Sequence, residues 1–266
     1  MMKDNKTIID ISGCTFISTS TDGAAELARE YGFGLQIAEF CTAFNMDIDF
    51  EKWDNRVKSQ MNGLNRFILH APFNELCPAA IDPLVAGVAK KRYAQTYGLM
   101  TSYGINTMIV HSGFLPVLYD EGWFASRSIV FWKEFLKDKP DNFKLRLENV
   151  FERTPGMLCE IAKAVDDERF LLCLDIGHAA IGSADISVLE WMHKMLPFLG
   201  HVHLHNNGGK FDDHGALGEG IIDVAAIIHE AVKSIPEITF TMEPRIGKQS
   251  IEWLAVNGFL GPKKKE

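Results

Sequence analysis

Nine side chains able to hold a metal ion lie along the second two-thirds of the chain: His70, His111, Glu148, Asp175, His178, His203, Asp212, His214 and Glu243. Six of them end short runs that read as β-strands, FILH, TMIVH, KLRLE, LLCLD, HVH and TFTME. Five imidazoles and four carboxylates, with no thiolate, suit zinc, manganese or ferrous iron, whereas calcium takes oxygen ligands alone. A lone histidine on an apolar strand is usually an ordinary core residue. Six strands that each end on a ligand form a constellation, and four carboxylates stacked together without a cation would repel one another strongly.

Positioning such a set requires elements that converge. Apolar strand candidates recur at Thr7–Ile11, Gly34–Glu39, Arg66–His70, Thr107–His111, Lys144–Glu148, Leu171–Asp175, Gly200–Leu204 and Ile238–Glu243, with amphipathic helical segments such as Asp22–Tyr31, Pro83–Tyr103, Ala125–Leu136, Pro155–Val165 and Ile186–Leu196 between them. Strict β/α alternation implies a parallel sheet, and eight repeats without a long linker imply closure into one (β/α)8 TIM barrel spanning 1–266, with 258–266 as a flexible tail. In that fold the C-terminal strand ends share one active site.

Parity within the strands supports the closure, because successive side chains face opposite sides. If the terminal ligands point inward, the outward set is Phe67, Leu69, Met108, Val110, Leu145, Leu147, Leu172, Leu174, Val202, Leu204, Ile238, Phe240 and Met242, all apolar. The inward set is mixed: Ile68, Ile109, Arg146, Cys173, His201, Thr239 and Thr241. Arg146 then points into the barrel below Glu148 and needs an acidic neighbour, for which Asp10 and Glu39 are the candidates. His201 and His205 flank His203 as supporting residues, and His193 and His229 fall on helical faces.

Composition limits the function classes. The net charge is −8, from 27 Lys and Arg against 35 Asp and Glu, which disfavours a nucleic-acid partner without excluding a local basic patch. The terminal lysines Lys263 to Lys265 read as a solvated tail. No run approaches the roughly 20 apolar residues of a membrane span, and the polar N-terminus lacks a signal-peptide pattern. Five cysteines without C-x-x-C spacing suit free thiols in a reducing cytoplasm. Trp53, Trp123, Trp132, Trp191 and Trp253 are the aromatic candidates for a homo-oligomer interface, although tryptophans on amphipathic segments are more often core.

The pieces LENVFE, LDIGHA and HVHLHNN-x5-DHGALGEG together resemble the xylose-isomerase-like barrel superfamily, which includes sugar and sugar-phosphate isomerases and epimerases and the endonuclease IV type of apurinic-site endonuclease. The similarity runs over nearly the whole chain and is strongest from His70 to Glu243. In the isomerase branch the resemblance implies one divalent ion (zinc, manganese, magnesium or iron) on Glu148, Asp175, His203 and Glu243. The substrate would be a small polyhydroxylated carbonyl compound of carbohydrate metabolism, converted through an enediolate. Glu148 and Glu243 would act as acid and base, His178 would bind a substrate oxygen, and Lys210 and Arg245 would hold remote hydroxyls or a phosphate. In the endonuclease branch all nine positions would hold up to three zinc ions and hydrolyse a phosphodiester. Against that branch, the segment CTAFNMDIDF after the second strand is acidic and apolar, and Phe73 stands where a tyrosine is expected. The isomerase or epimerase reading leads, with the zinc phosphoesterase as its alternative and a non-catalytic binding barrel behind both.

Overall fold

Short, β-branched and aromatic runs form the staves of the barrel, and the computed structural model describes them within residues 8–182 and 186–261. The strands are β1 (Thr15–Ser18), β2 (Gly34–Ile37), β3 (Phe67–His70), β4 (Thr107–His111), β5 (Lys144–Glu148), β6 (Phe170–Asp175), β7 (Leu199–Leu204) and β8 (Thr239–Met242). All pair in parallel in sequence order, and β1 pairs with β8 to close the barrel. The helices are α1 (Ala24–Tyr31), α2 (Phe44–Asp47), α3 (Phe50–Met61), α4 (Pro83–Ser102), α5 (Glu121–Leu136), α6 (Gly156–Val165), α7 (Ile176–Gly182), α8 (Val188–Met195), α9 (Val224–Ser234) and α10 (Gly247–Val256). Several start where their sequence dictates. Asp82, before Pro83, accepts from the Leu84 N–H, and Ser187 with Glu190 forms a reciprocal capping box. Both arrangements satisfy N–H groups that a helix start leaves unpaired.

The expected parity is realised as two separate apolar cores. Leu69, Met108, Val110, Leu145, Leu147, Leu172, Leu174, Val202, Leu204, Phe240 and Met242 join the continuous core between strands and helices. Phe16, Ile68, Ile109 and Cys173 form a second cluster inside the barrel. Period-two alternation on a closed sheet makes this division, because neighbouring residues cannot share a face. Burying each large outward residue contributes about 1.5–3 kcal/mol, so the outer core supplies most of the stability that the polar barrel mouth cannot.

The first strand corrects an expectation. Thr7–Ile11 is not β1: Thr7 lies outside the described residues, and β1 is the later run Thr15–Ser18. Ile9 and Ile11 instead donate backbone hydrogen bonds to the carbonyls of Gly258 (2.8 Å) and Phe259 (3.0 Å). Both Ile11 and Phe259 are buried. The β-branched run was the stronger local signal, but packing against the C-terminal segment overrode its propensity. Residues 258–261 are therefore held by that packing, whereas Lys263 to Lys265 lie outside the described residues.

Arg146 does point inward, but neither expected acid meets it. The Asp10 carboxylate accepts from the Ser12 N–H (2.9 Å). Glu39 accepts from the Thr19 hydroxyl (2.6 Å) and pairs with Arg56 (3.2 Å). Arg146 instead donates to the carbonyls of Leu145 (2.9 Å) and Arg169 (3.2 Å). The error is one of level. Glu39 lies past the C-terminal end of β2, and Asp10 precedes a strand that begins later in the chain than the β-branched run implied.

Among the tryptophans, Trp132 and Trp191 are fully buried, Trp53 and Trp253 pack partly against the core, and Trp123 is 38% exposed and stacks on Tyr119. No cysteine among the described residues is in a disulfide. No described helix is long and apolar enough to cross a membrane.

Candidate metal centre

Strand ends deliver the cluster. His111 and Glu148 are register partners across β4 and β5, as are Asp175 and His203 across β6 and β7. Glu148 sits at the centre. Its Oε1 lies 3.3 Å from His203 Nδ1 and 3.4 Å from His178 Nδ1, and its Oε2 lies 3.3 Å from His70 Nε2 and 3.6 Å from His111 Nε2. His203 Nδ1 also lies 3.6 Å from Asp175 Oδ2 and 3.6 Å from Glu243 Oε2. Glu148, Asp175, His203 and Glu243 thus surround one point. Around it the structure brings together His70, His111, His178, Asp212 and His214, so all nine expected ligands share one mouth.

Gln36, on β2, orients this core, although it is absent from the ligand set expected from sequence. Its amide nitrogen donates to Glu243 Oε1 (2.5 Å), and its amide oxygen lies 3.0 Å from His203 Nε2. A carboxylate only accepts, so the amide nitrogen must face Glu243 and the oxygen must face His203. His203 therefore carries a proton on Nε2 and directs Nδ1 at the three carboxylates. That buried Nδ1 has no hydrogen-bond partner. An orphaned ring nitrogen among three carboxylates fits a divalent cation, with the outer ring nitrogen anchored as metal-binding histidines require. The inward parity of GLQI was the available signal, but an amide is not an obvious metal-site residue. We expect Gln36→Leu to weaken metal binding about ten- to a hundredfold without loss of fold. A competitive chelator titration measures this, and unchanged affinity would remove Gln36 from the role.

Three of the remaining histidines are presented in a similar way, with the roles of the two ring nitrogens exchanged. Nδ1 of His70 donates to the Ala71 carbonyl (2.8 Å), Nδ1 of His178 to the Asn149 carbonyl (2.9 Å) and Nδ1 of His214 to the Glu243 carbonyl (2.8 Å). Each leaves Nε2 directed toward a carboxylate: His70 toward Glu148, His178 toward Asp212 at 3.4 Å and His214 toward Asp212 at 3.1 Å. His214 holds a left-handed backbone (φ 48°), an uncommon conformation that histidine adopts more readily than most residues.

His205, expected as a supporting residue, reaches the site directly. Its Nε2 lies 3.0 Å from Asp175 Oδ1, its ring stacks on His214 at 4.0 Å, and its buried Nδ1 has no hydrogen-bond partner and lies 3.9 Å from Asp212 Oδ1. With Asp212 and His214 it forms a further ligand group. A Cβ at residue 177 would fall 1.9 Å from the His205 ring, so Gly177 is what allows α7 to pass. His201 stays below the site, between the hydroxyls of Thr239 (2.7 Å) and Thr241 (2.9 Å).

Asn149 and Glu152, in the ENVFE run, brace the mouth. Asn149 exchanges two hydrogen bonds with the Asp175 backbone (2.8 and 3.0 Å). Glu152 accepts from the Ser112 hydroxyl (2.5 Å) and the Val150 N–H (2.7 Å), and burial pushes its carboxyl up. Phe73 stacks on His111 at 4.3 Å. Burial also pushes His111 down to about 3 against the pull of Glu148, so this imidazole is neutral. Lys210 and Arg245 are exposed on the loops after β7 and β8, and neither side chain is hydrogen-bonded or ion-paired among the described residues.

Comparison with known proteins agrees with this architecture. The model of the xylose isomerase-like TIM barrel family matches residues 20–255. A curated relative, uncharacterized protein MJ1311 of Methanocaldococcus jannaschii, is 28% identical over 182 residues, a region spanning 63% of this chain and 60% of that protein. A solved D-tagatose 3-epimerase-like protein superposes with a TM-score of 0.69 at 21% identity, over 91% of this chain and 94% of that one. The TTHB071 protein of Thermus thermophilus, soaked with zinc chloride, superposes with a TM-score of 0.70 at 18% identity, over 92% of this chain and 97% of that one. At such identities the structural likeness is one of fold, and the match of the family model over most of the chain shows that it belongs to the xylose isomerase-like TIM barrel family.

Proposed function

We propose that the protein is a divalent-metal-dependent isomerase or epimerase of a small polyhydroxylated carbonyl compound. The observation that carries this reading is the orphaned Nδ1 of His203 facing Glu148, Asp175 and Glu243. A divalent ion held by these four residues supplies a Lewis acid beside the substrate carbonyl, where negative charge develops during proton abstraction. Glu148 and Glu243 flank His203, so one removes the proton on carbon and the other returns one from the opposite side. Burial opposes ionisation of Glu148, but the charge of His203 and the hydrogen bonds of His178 and His203 outweigh that penalty and hold its carboxyl well below the usual range. Gln36 holds Glu243 through one oxygen and leaves the other for the reaction. His178 contacts a substrate oxygen, and Lys210 and Arg245 reach the more distant hydroxyls or a phosphate.

The mouth supports a small substrate. The loops after the strands carry Arg153, Lys210 and Arg245, outnumbered by carboxylates, and expose Phe151, Phe211 and Ile246, with Phe44 exposed at the start of α2. A groove for duplex DNA needs clustered cations to neutralise phosphates. The epimerase-like name of one fold neighbour agrees with this reading. We expect metal-loaded protein in heavy water to introduce deuterium beside the carbonyl of ketose substrates. Failure to exchange on any of a panel of ketoses and ketose phosphates, together with cleavage of an abasic-site duplex lost in Glu243→Gln, would replace this reading.

A second reading, a multinuclear zinc phosphoesterase, draws on the Nδ1 anchoring of His70, His178 and His214, which equips these residues to bind further ions. Metal analysis separates the two, with about one ion per chain expected for the isomerase and about three zinc ions for the hydrolase.

A further inference from the structure

At the opposite end of the barrel from the metal centre, the N-terminal strand ends enclose a cavity of about 800 Å³. Arg66, Lys144 and Arg146 line it, and Glu237 is the one carboxylate among its lining residues. Arg146 is its deepest charge, only 7% exposed. One guanidinium nitrogen, Nη1, is satisfied by the Leu145 and Arg169 carbonyls. No ion pair among the described residues includes Arg146. The room for this side chain is itself built in, because a Cβ at Gly200 would fall 2.8 Å from Arg146 Nε.

Arg66 lies nearer the mouth, over the Phe16 ring at 5.4 Å, and is tied to the carbonyls of Ser12 (3.0 Å) and Gly32 (2.6 Å). Those bonds fix its position without neutralising its charge. A buried guanidinium without a counter-charge is costly, and its planar fork matches the paired oxygens of an oxoanion such as a phosphate group. A cavity of this size accommodates more than a bare ion.

We propose that this cavity binds a phosphate-type oxoanion, free or as a phosphomonoester, with Arg146 as its deep ligand and Arg66 and Lys144 at the entrance. Such an anion neutralises the charge that the barrel interior leaves unpaired, two residues before Glu148 on the same strand.

The test is thermal unfolding and calorimetric titration of the metal-loaded protein with inorganic phosphate and, separately, glycerol 3-phosphate, at ionic strength matched with chloride. A saturable rise in melting temperature is expected for the wild type. Arg146→Met should bind phosphate about ten- to a hundredfold more weakly, the loss expected for a charge-assisted hydrogen bond, with unchanged metal content. Arg146→Lys, which keeps the charge and loses the fork, should fall between the two, and it keeps the test decisive if the methionine variant does not fold. Tighter binding of glycerol 3-phosphate than of phosphate identifies a phosphomonoester ligand; equal or weaker binding identifies free phosphate. Absence of a saturable effect in the wild type would overturn the site. So would an effect that survives in both Arg146 variants, since phosphate would then be binding at the metal centre.

Discussion

Glu148→Gln is expected to lower turnover by about 10²- to 10⁴-fold, the range for loss of a positioned acid or base, while leaving the barrel folded. Glu148 touches four imidazoles, two through each oxygen. Glutamine keeps the shape but removes the negative charge and replaces one acceptor with a donor. At least one neighbouring ring nitrogen then loses its partner, and the proton-transferring carboxylate is gone. The fold should persist, because Glu148 contributes its backbone carbonyl to Ser112 (3.0 Å) and belongs to neither apolar cluster. Steady-state kinetics, circular dichroism and metal analysis on one preparation make the check. Activity within tenfold of wild type at normal metal content would refute the assigned role.

Metal removal should have the largest effect on stability. An ion present at a thousandfold excess over its dissociation constant stabilises by about 4 kcal/mol. In a chain of this size that corresponds to about 8–16 °C of melting temperature. The effect should depend on pH, and its sign follows from the histidines. Burial opposes the imidazolium of His178, but Asp175, Asp212 and Glu148 outweigh it and raise the group well above 6.5. At His203 burial again opposes charge, and the Cys173 sulfur, Glu243 and Glu148 reverse it. Because burial pushes Cys173 itself up to about 12, it remains a thiol at neutral pH and the carboxylates are the charges that act. A raised histidine stabilises the metal-free fold fully below the unfolded value and loses that contribution as pH rises through the folded one. Metal ligation needs the neutral ring, so loading releases protons and strengthens as pH rises. The gap in melting temperature between loaded and chelated protein should therefore widen from acid to alkaline pH. Calorimetric titration in buffers of different ionisation heat reads the released protons. Identical melting with and without chelator, and no proton release, would show that the cluster is not a metal site.

Much of this site was legible in the order and types of the residues. The candidate ligands at the ends of β3 to β8 follow from local patterns, and strand parity separates the barrel interior from the helix-facing core because a β-strand has a period of two. What local patterns cannot supply is a partner across the barrel. Gln36 meets Glu243 across 207 residues of sequence, and nothing in GLQI announces which carboxylate its amide will orient.

The same limit explains the missed β1, the level of Arg146 and the part played by His205. Each depends on how distant segments stack along the barrel axis, and a one-element shift in register leaves the local pattern unchanged. Residue types and periodicity determined the candidate ligands and the closed barrel that gathers them. Tertiary structure alone decided which ring nitrogen each histidine turns inward and that no described acid pairs with the interior guanidinium. Those outcomes depend on hydrogen bonds and burial between elements far apart in the chain.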